Sequence, residues 1–129
     1  MSYNLFLDDC REPHKVTWVK LPLVEWVIVK SYKEFTEIIH RQGLPIRVAL
    51  DHDLADEHYQ GYYHSKKTGV IKYSVMKEKT GFDCAKWLVE YCMAHELDLP
   101  IYYVHTMNPI GKENIISLFE SYKKSQNID

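Results

Sequence analysis

Four short apolar runs recur along the chain, and segments with apolar residues at helical spacing separate most of them. Runs that are apolar without alternation are typical of strands buried on both faces. Such strands, alternating with amphipathic helices, predict a mainly parallel sheet of about four strands with helices on both faces. The predicted strands are Asn4–Leu7, Trp26–Val29, Ile46–Leu50 and Ile101–Val104.

Capping signals mark the beginnings of three helices. Two pairs have the spacing of a capping box, in which a hydroxyl and an acid three residues later satisfy free backbone N–H groups. In the third pair, a cap residue precedes a proline at the first helical position. Gly43 ends the first of the three helices. The pairs are Ser31 with Glu34, Thr80 with Asp83, and Asn108 with Pro109.

The 129 residues fit one domain, 1–129, because no linker, repeat or low-complexity segment divides them. Two segments interrupt the alternation of strands and helices. Residues 10–24 contain two prolines and predict a loop with about one helical turn. Residues 54–79 have no helical period, and the Lys-Thr-Gly sequence at 67–69 is a turn signal, so this insertion predicts a hairpin-like flap.

Tyrosines and lysines make up much of the insertion. Binding of a nucleotide or of single-stranded nucleic acid requires aromatic faces and positive charges of this kind. The alternative is a solvated hairpin whose tyrosines pack on the domain edge. The residues are Tyr59, Tyr62, Tyr63 and Tyr73 with Lys66, Lys67, Lys72, Lys77 and Lys79.

Composition narrows the class of protein. A hydrophobic content of 46% is ordinary for a globular domain, and a net charge of −2 gives no general attraction to nucleic acid or to anionic membranes. Three cysteines are too few for a disulfide framework, and no apolar run approaches the ~20 residues that cross a bilayer. We therefore expect a cytoplasmic protein that does not contact a membrane. Trp18, Trp26 and Trp87 are predicted to be packing residues.

Acids follow two of the predicted strands, and a histidine follows another. Ligands of open parallel sheets bind beyond the carboxyl ends of the strands, so we expect these side chains to converge. Clustered carboxylates repel one another and favour a cation, for which we expect Mg²⁺ or Mn²⁺ before Zn²⁺. The alternative is that the acids cap helices or pair with Arg11 and Arg47. The candidate ligands are Asp8, Asp9, Asp51, Asp53 and His105.

Two further side chains lie next to these acids in the sequence. Arg11 is placed to hold two phosphate oxygens in a fork, or else to form a salt bridge with Asp53 or Asp83. His52 has three open roles, as a metal ligand, as a general base, or as a histidine hydrogen-bonded beneath the loop.

Two helix N-termini at the same edge suit a phosphate, because free N–H groups and the helix dipole favour anions. At the last helix, Asn108, Gly111 and Lys112 offer an amide, a close backbone approach and a positive charge. At the middle helix, Gly81 either binds a ligand or simply continues the capping box that begins at Thr80.

Four motifs, in this order, resemble the cyclic-phosphate processing receiver-like family, divergent relatives of the response-regulator receiver domain. The resemblance covers nearly the whole chain except the insertion and the tail after Lys123. It implies a flavodoxin-like, receiver-like three-layer α/β fold. The motifs are LFLDDCREP at 5–13, ALDHDL at 49–54, TGFD at 80–83, and His105 followed by NPIG at 108–111 and Asn114-Ile115.

The resemblance implies a metal-dependent phosphoesterase that opens a cyclic phosphate to a phosphomonoester. The substrate class is an RNA end with a 2′,3′-cyclic phosphate, or a cyclic nucleotide. By the same resemblance, Asp8, Asp9 and Asp51 match the acidic metal pocket of receivers. The positions that match further polar residues of the family are His52, Asp53, Asp83, His105 and Asn108.

In the hypothesis that follows, His52 or His105 is the general base for a water molecule, and the other histidine protonates the leaving alkoxide. Arg11, Lys112 and the N-terminus of the last helix stabilise charge on the phosphoryl oxygens. The alternative is a non-catalytic receiver-like module that binds a nucleotide, a nucleic acid or a protein partner. Receivers also have a lysine before the proline that follows their last strand, and this chain has Asn108 there, which argues against phosphorelay.

Overall fold

The computed structural model describes residues 2–55, 57, 58, 60 and 66–126. Four strands form one sheet in the order β2-β1-β3-β4, and every neighbouring pair is parallel. This arrangement confirms the predicted parallel sheet and is that of a flavodoxin-like α/β fold. The strands are β1 (Asn4–Leu7), β2 (Val27–Val29), β3 (Arg47–Leu50) and β4 (Ile101–Val104).

Three helices begin where the capping signals predict. The side chain of Ser31 accepts a hydrogen bond from the N–H of Glu34, and Thr80 with Asp83 forms a reciprocal capping box. Gly43 ends the first helix with a φ of 82°, a conformation that glycine adopts without strain. The helices are α1 (Tyr32–Gln42), α2 (Gly81–His95) and α3 (Pro109–Gln126).

The handedness of the connections decides which face of the sheet each segment covers. From β1 the chain moves one way to β2, and it then moves the opposite way to β3 and β4. Because crossovers between parallel strands are right-handed, connections in opposite directions lie on opposite faces. Accordingly, α1, α2 and α3 all pack on the face of the sheet that carries Leu5 and Val48. The opposite face, which carries Phe6, is covered by Val16, Trp26 and their neighbours.

Helices were expected on both faces of the sheet, and the face that carries Phe6 differs from that expectation. In the described residues, a loop with a single 3₁₀ turn at Pro13–Lys15 covers it, as the two prolines of this segment predict. The central strands remain buried on both sides, because Leu5, Phe6 and Leu7 are all inaccessible to solvent.

The insertion at 54–79 is a correction, because its described residues contain no strand and so no hairpin. The residues at 57, 58, 60 and 66–68 are helical, and Tyr73–Val75 is a 3₁₀ turn. Gly69 does have the positive φ expected of it, 74°. Side chains rather than a strand ladder hold this segment: buried His58 accepts a hydrogen bond from Leu54 N–H and donates one to the carbonyl of Glu78. The tyrosines at 59, 62 and 63 lie outside the described residues.

No helix in the described part of the chain is long and apolar enough to cross a membrane.

Gly81 provides a test of how closely α2 packs on the end of β3. A Cβ at this position would lie 1.8 Å from the carbonyl oxygen of Asp51. Helix propensity alone favours alanine over glycine by about 1 kcal/mol. We expect the clash to outweigh this preference, so that Gly81→Ala lowers the free energy of unfolding by about 3 kcal/mol in urea denaturation. Lys86→Ala, an exposed change on the same helix, should alter it by less than about 0.5 kcal/mol. Equal effects of the two substitutions would contradict this packing.

Candidate functional site

The register of the sheet brings three polar side chains together. Leu7 pairs with Leu50, and Leu50 pairs with Val104, so that the residues following them leave the sheet side by side. The three backbones are joined, because Asp51 N–H donates to the carbonyl of Leu7, and His105 N–H donates to that of Leu50. Asp8, Asp51 and His105 are all buried at this edge. It is the point where strand order reverses, the usual ligand site of such sheets.

Asp8 is surrounded by hydrogen-bond donors. Its Oδ1 accepts from the N–H groups of Cys10 and Arg11, at 3.0 and 2.9 Å. Its Oδ2 lies 3.0 Å from Nε2 of His105. Burial by itself would raise the pKa of Asp8, but the bonds from His105, Cys10 and Arg11 outweigh burial and lower the pKa below its usual value. Asp8 is therefore an anion at neutral pH.

Asp51 is less well compensated than Asp8. Its Oδ1 accepts from the N–H of His52 at 2.8 Å, but its Oδ2 has no hydrogen-bond partner among the described residues. Burial, and then the nearby carboxylate of Asp8, raise the pKa of Asp51 to about 6. A carboxylate oxygen that has no hydrogen bond and lies beside a second acid favours a bound cation.

Arg11 supplies the positive charge nearest to both acids. Its Nη1 lies 3.5 Å from Oδ2 of Asp8 and 3.6 Å from Oδ2 of Asp51, which are distances for ion pairs rather than for close hydrogen bonds. Of the alternatives that the sequence left open, these ion pairs match the pairing of the strand-end acids with Arg11, and they do not involve Asp53 or Asp83.

The donor atoms fit a divalent ion. Potential ligand atoms of Asp8, Asp51 and His105 lie within 4.8 Å of one another, and those of Asp8, Asp9 and Cys10 form a second such group. Two carboxylates and an imidazole suit Mn²⁺, Zn²⁺ or, with fewer protein ligands, Mg²⁺. Within the described residues Asp53 belongs to neither group, and Asp9 shares a group with Asp8 but not with Asp51. Of the four acids predicted to hold a metal, the structure therefore brings Asp8 together with Asp51 in one group and with Asp9 in the other.

His52 and Asp53 belong to a separate buried network. Nδ1 of His52 lies 2.7 Å from Oδ1 of Asp53, and its Nε2 lies 2.8 Å from the hydroxyl of Tyr73. Asn108 donates its amide N–H to Asp53, and Asn114 donates to the Tyr73 hydroxyl. Both ring nitrogens of His52 are thus occupied. Of its three open roles, the geometry favours a histidine hydrogen-bonded beneath the loop.

The remaining phosphate-binding candidates contribute mainly to local structure. Asp83 Oδ2 accepts from the backbone N–H and hydroxyl of Thr80, which is the capping role. Gly81 donates its N–H to the carbonyl of His52, and Lys112 donates its own to the carbonyl of Asn108. The Gly81 bond holds the N-terminus of α2 against the end of β3, whereas the other bonds lie within the two helix N-termini.

Asn108 uses its whole side chain within the protein. Its Oδ1 accepts from the N–H of Gly111 at 3.0 Å, while its amide nitrogen donates to Asp53. Gly111 in turn lies against His52, since a Cβ there would lie 2.4 Å from the imidazole Cγ. The N-terminus of α3 is therefore fixed by the His52 network.

Sequence reasoning placed Trp18 among the packing residues, and the structure corrects that prediction. Trp18 is 41% exposed and belongs to neither core cluster, and its indole N–H donates to the carbonyl of His105 at 2.6 Å. The sequence pointed to Tyr73 only as a residue of the insertion and to Asn114 only as part of a motif. It predicted no partner for either side chain. Neither a local period nor a spacing signals such contacts, because they join residues far apart in the chain.

A protein-family model, the cyclic-phosphate processing receiver domain, matches residues 3–121. The chain belongs to this family. The matched region contains all four sequence motifs. It also contains Asp8, Asp51 and His105, together called the acidic group below, so membership confirms the resemblance seen in the sequence. No curated protein and no solved structure gives a significant match.

The unequal environments of Asp8 and Asp51 predict opposite effects of the same substitution. A carboxyl whose pKa is raised in the folded state stabilises the protein below its unfolded pKa and loses that contribution as pH rises through its folded pKa. The pKa of Asp51 is raised from 3.8 to about 6, so its contribution to stability is lost as the pH rises between these two values. In chelator at pH 7.5, Asp51→Asn should therefore raise the free energy of unfolding by roughly 1–3 kcal/mol, and the gain should disappear near pH 4.

Asp8→Asn is the matched control. The lowered pKa of Asp8 means that its contribution to stability is present above its unfolded pKa and is lost as pH falls, so this variant should be less stable than the wild type at pH 7.5. Urea denaturation at pH 4 and pH 7.5 measures both variants. Destabilisation by Asp51→Asn at the higher pH would show that the protein already compensates its charge.

The Tyr73 hydroxyl is predicted to stabilise the link between the insertion and His52. Tyr73→Phe removes this hydroxyl, so that the buried Nε2 of His52 loses its hydrogen bond and the amide of Asn114 loses its acceptor. We expect a loss of about 1–3 kcal/mol in the free energy of unfolding. Tyr122→Phe, which removes an exposed bond to the carbonyl of Leu97, should cost less than about 1 kcal/mol. A loss no larger than that of the control would exclude a stabilising network.

Proposed function

We propose that this protein is a metal-dependent phosphoesterase that opens a cyclic phosphate to a phosphomonoester, acting on an RNA 2′,3′-cyclic phosphate end or on a cyclic nucleotide. The main support is the buried pair of acids at the switch point, in which one oxygen of Asp51 has no hydrogen bond among the described residues. Membership of a family described as processing cyclic phosphates agrees with this chemistry.

Asp8 and Asp51 would hold the ion, with Asp9 or His105 as a further donor. A divalent ion bound there would lower the pKa of a water molecule and draw negative charge from a phosphoryl oxygen. The site lies at the carboxyl ends of rigid strands, which keep the acids at a fixed separation. Metal binding would also relieve the repulsion that raises the pKa of Asp51.

Arg11 is the side chain best placed to bind the phosphoryl group. Its guanidinium lies beside both acids, and it is about one quarter exposed, so it can meet a ligand from solvent. A planar fork of N–H groups binds two oxygens of a phosphate, and it stabilises charge that accumulates as the ring opens.

Proton transfer is assigned to His105 rather than to His52. Both nitrogens of His52 are bonded within its own network, whereas His105 contacts Asp8 through Nε2, and its Nδ1 has no partner among the described residues. The Asp8 carboxylate orients the imidazole, as an acid does for a catalytic histidine. As water forms a new bond to phosphorus and one ester P–O bond of the ring breaks, Nδ1 of His105 would take a proton from the water and pass it to the released alkoxide.

The second candidate function is a receiver-like module that binds a nucleotide, a nucleic acid or a protein partner without turnover. The observation that favours it is burial: Asp8 and His105 have no solvent-accessible surface in this structure. An active enzyme would need Arg11 or its loop to move aside so that a substrate reaches Asp8 and His105. A binding module would need only the exposed residues around them.

A turnover screen tests the proposal. Purified protein with Mg²⁺, Mn²⁺ or Zn²⁺ is given 2′,3′-cyclic nucleotides, RNA with a 2′,3′-cyclic phosphate end, and 3′,5′-cyclic nucleotides, and the products are separated by chromatography. We expect metal-dependent ring opening of at least one class. Asp51→Asn should lose at least about 100-fold of the rate through loss of the ion, while Asp98→Asn, an exposed acid outside the site, should keep it. Binding without any opening would favour the second candidate.

His105→Ala separates the roles of the imidazole. If His105 transfers a proton, the rate falls by about 10²–10⁴-fold and the affinity for Mn²⁺, measured by calorimetry, is retained. A parallel loss of Mn²⁺ affinity would instead make His105 a metal ligand.

A further inference from the structure

Trp18 is an exposed aromatic side chain that is tied to the candidate site. It lies in the loop between β1 and β2, where Val16 and Val19 point into the core that covers Phe6. Trp18 is absent from that cluster, and its side chain remains 41% exposed. A tryptophan usually packs a large apolar area, so its exposure here needs another explanation.

The indole is held in a fixed orientation. Its N–H donates to the carbonyl of His105 at 2.6 Å, and His105 is the residue that contacts Asp8. The flat ring is thereby positioned at the edge of the acidic group rather than left to rotate in solvent. A preorganised aromatic surface binds a ligand with a smaller loss of conformational entropy.

Arg11 connects this ring to the two acids. Its guanidinium carbon lies 5.2 Å from the centre of the Trp18 ring, while its Nη1 is 3.5 Å from Asp8 and 3.6 Å from Asp51. Its Nη2 contacts the sulfur of Met107, a residue that is 62% exposed. The guanidinium thus lies between an exposed aromatic ring and an exposed thioether on one side and the acids on the other.

We propose that Trp18, with Met107 as a second exposed residue in contact with Arg11, forms a nucleobase subsite, so that the substrate carries a base next to its phosphate. This inference rests on the proposed function, because it assumes that the phosphate lies at Arg11 and the acids. Every nucleobase has a flat π face that stacks on an aromatic ring, and stacking of this kind tolerates different bases. Arg11 already lies over the Trp18 ring, so the base would stack on the part of the ring that stays exposed while the guanidinium holds the phosphate.

The binding of matched ligands tests the subsite. Metal-loaded protein is titrated with 2′,3′-cyclic AMP and with glycerol 1,2-cyclic phosphate, which has the cyclic ester but no base. The readouts are the dissociation constant and the NMR signal of the Trp18 indole N–H, identified by its absence in Trp18→Phe. We expect the nucleotide to bind roughly 5- to 150-fold more tightly than the base-free ester, the range expected from stacking of one base. It should also shift the indole signal.

Trp18→Ala should remove this preference and leave the affinity for glycerol 1,2-cyclic phosphate and for Mn²⁺ unchanged. Trp18→Phe keeps an aromatic face but loses the hydrogen bond to His105, so it should retain part of the preference, which guards against a variant that fails to fold. Trp87→Phe, a change in the helical layer, should behave like the wild type. Equal affinities of wild type and Trp18→Ala for the nucleotide would overturn the subsite and leave the proposed function standing. If metal-loaded wild type bound neither ester, the proposed function would fall, and the subsite with it.

Discussion

The burial of two carboxylates at adjacent strand ends is the constraint on which the rest of the site depends. Acids removed from water and placed side by side repel each other unless a proton or a cation compensates them. The protein meets this cost unequally: Asp8 receives two backbone N–H groups and an imidazole, whereas Asp51 keeps one oxygen without a hydrogen bond among the described residues. One carboxylate is therefore held as an anion, and the other is left able to accept a positive partner.

The network around His52 supports this arrangement from the other side of the strand end. Asp53, Tyr73 and Asn108 occupy its polar atoms, and Gly81 and Gly111 allow two helix N-termini to lie directly against the backbone of Asp51 and the ring of His52. Buried polar groups that are satisfied in this way make the local structure rigid. The end of β3 is thus fixed by contacts that do not use the carboxylates of Asp8 and Asp51.

Much of this arrangement was predictable, because it depends on local signals. The strand positions, the caps at Ser31 and Thr80 and the meeting of Asp8, Asp51 and His105 follow from apolar runs, capping spacings and the rule for carboxyl ends of parallel strands. The directions of His52 and Asp53 did not follow, because past the strand end a side chain points where tertiary hydrogen bonds hold it. The exposure of Trp18 was also not predictable, because a proline-containing loop has no hydrophobic period that distinguishes buried from exposed positions. The turn signal at Gly69 predicted the local φ correctly, but the strands expected to flank it are absent from the described residues next to it.

Arg11 connects the two functions argued for the site. In this structure it supplies the charge that the acid pair lacks, at distances too long for strong hydrogen bonds. Asp8 and Asp51 would hold a divalent ion, whose charge would compensate the two carboxylates in place of the guanidinium. The guanidinium, which lies 5.2 Å from the centre of the Trp18 ring, would then have N–H groups available for a phosphate. A cationic fork next to a bound metal and an aromatic surface is the combination that the phosphate and the base of one nucleotide require together.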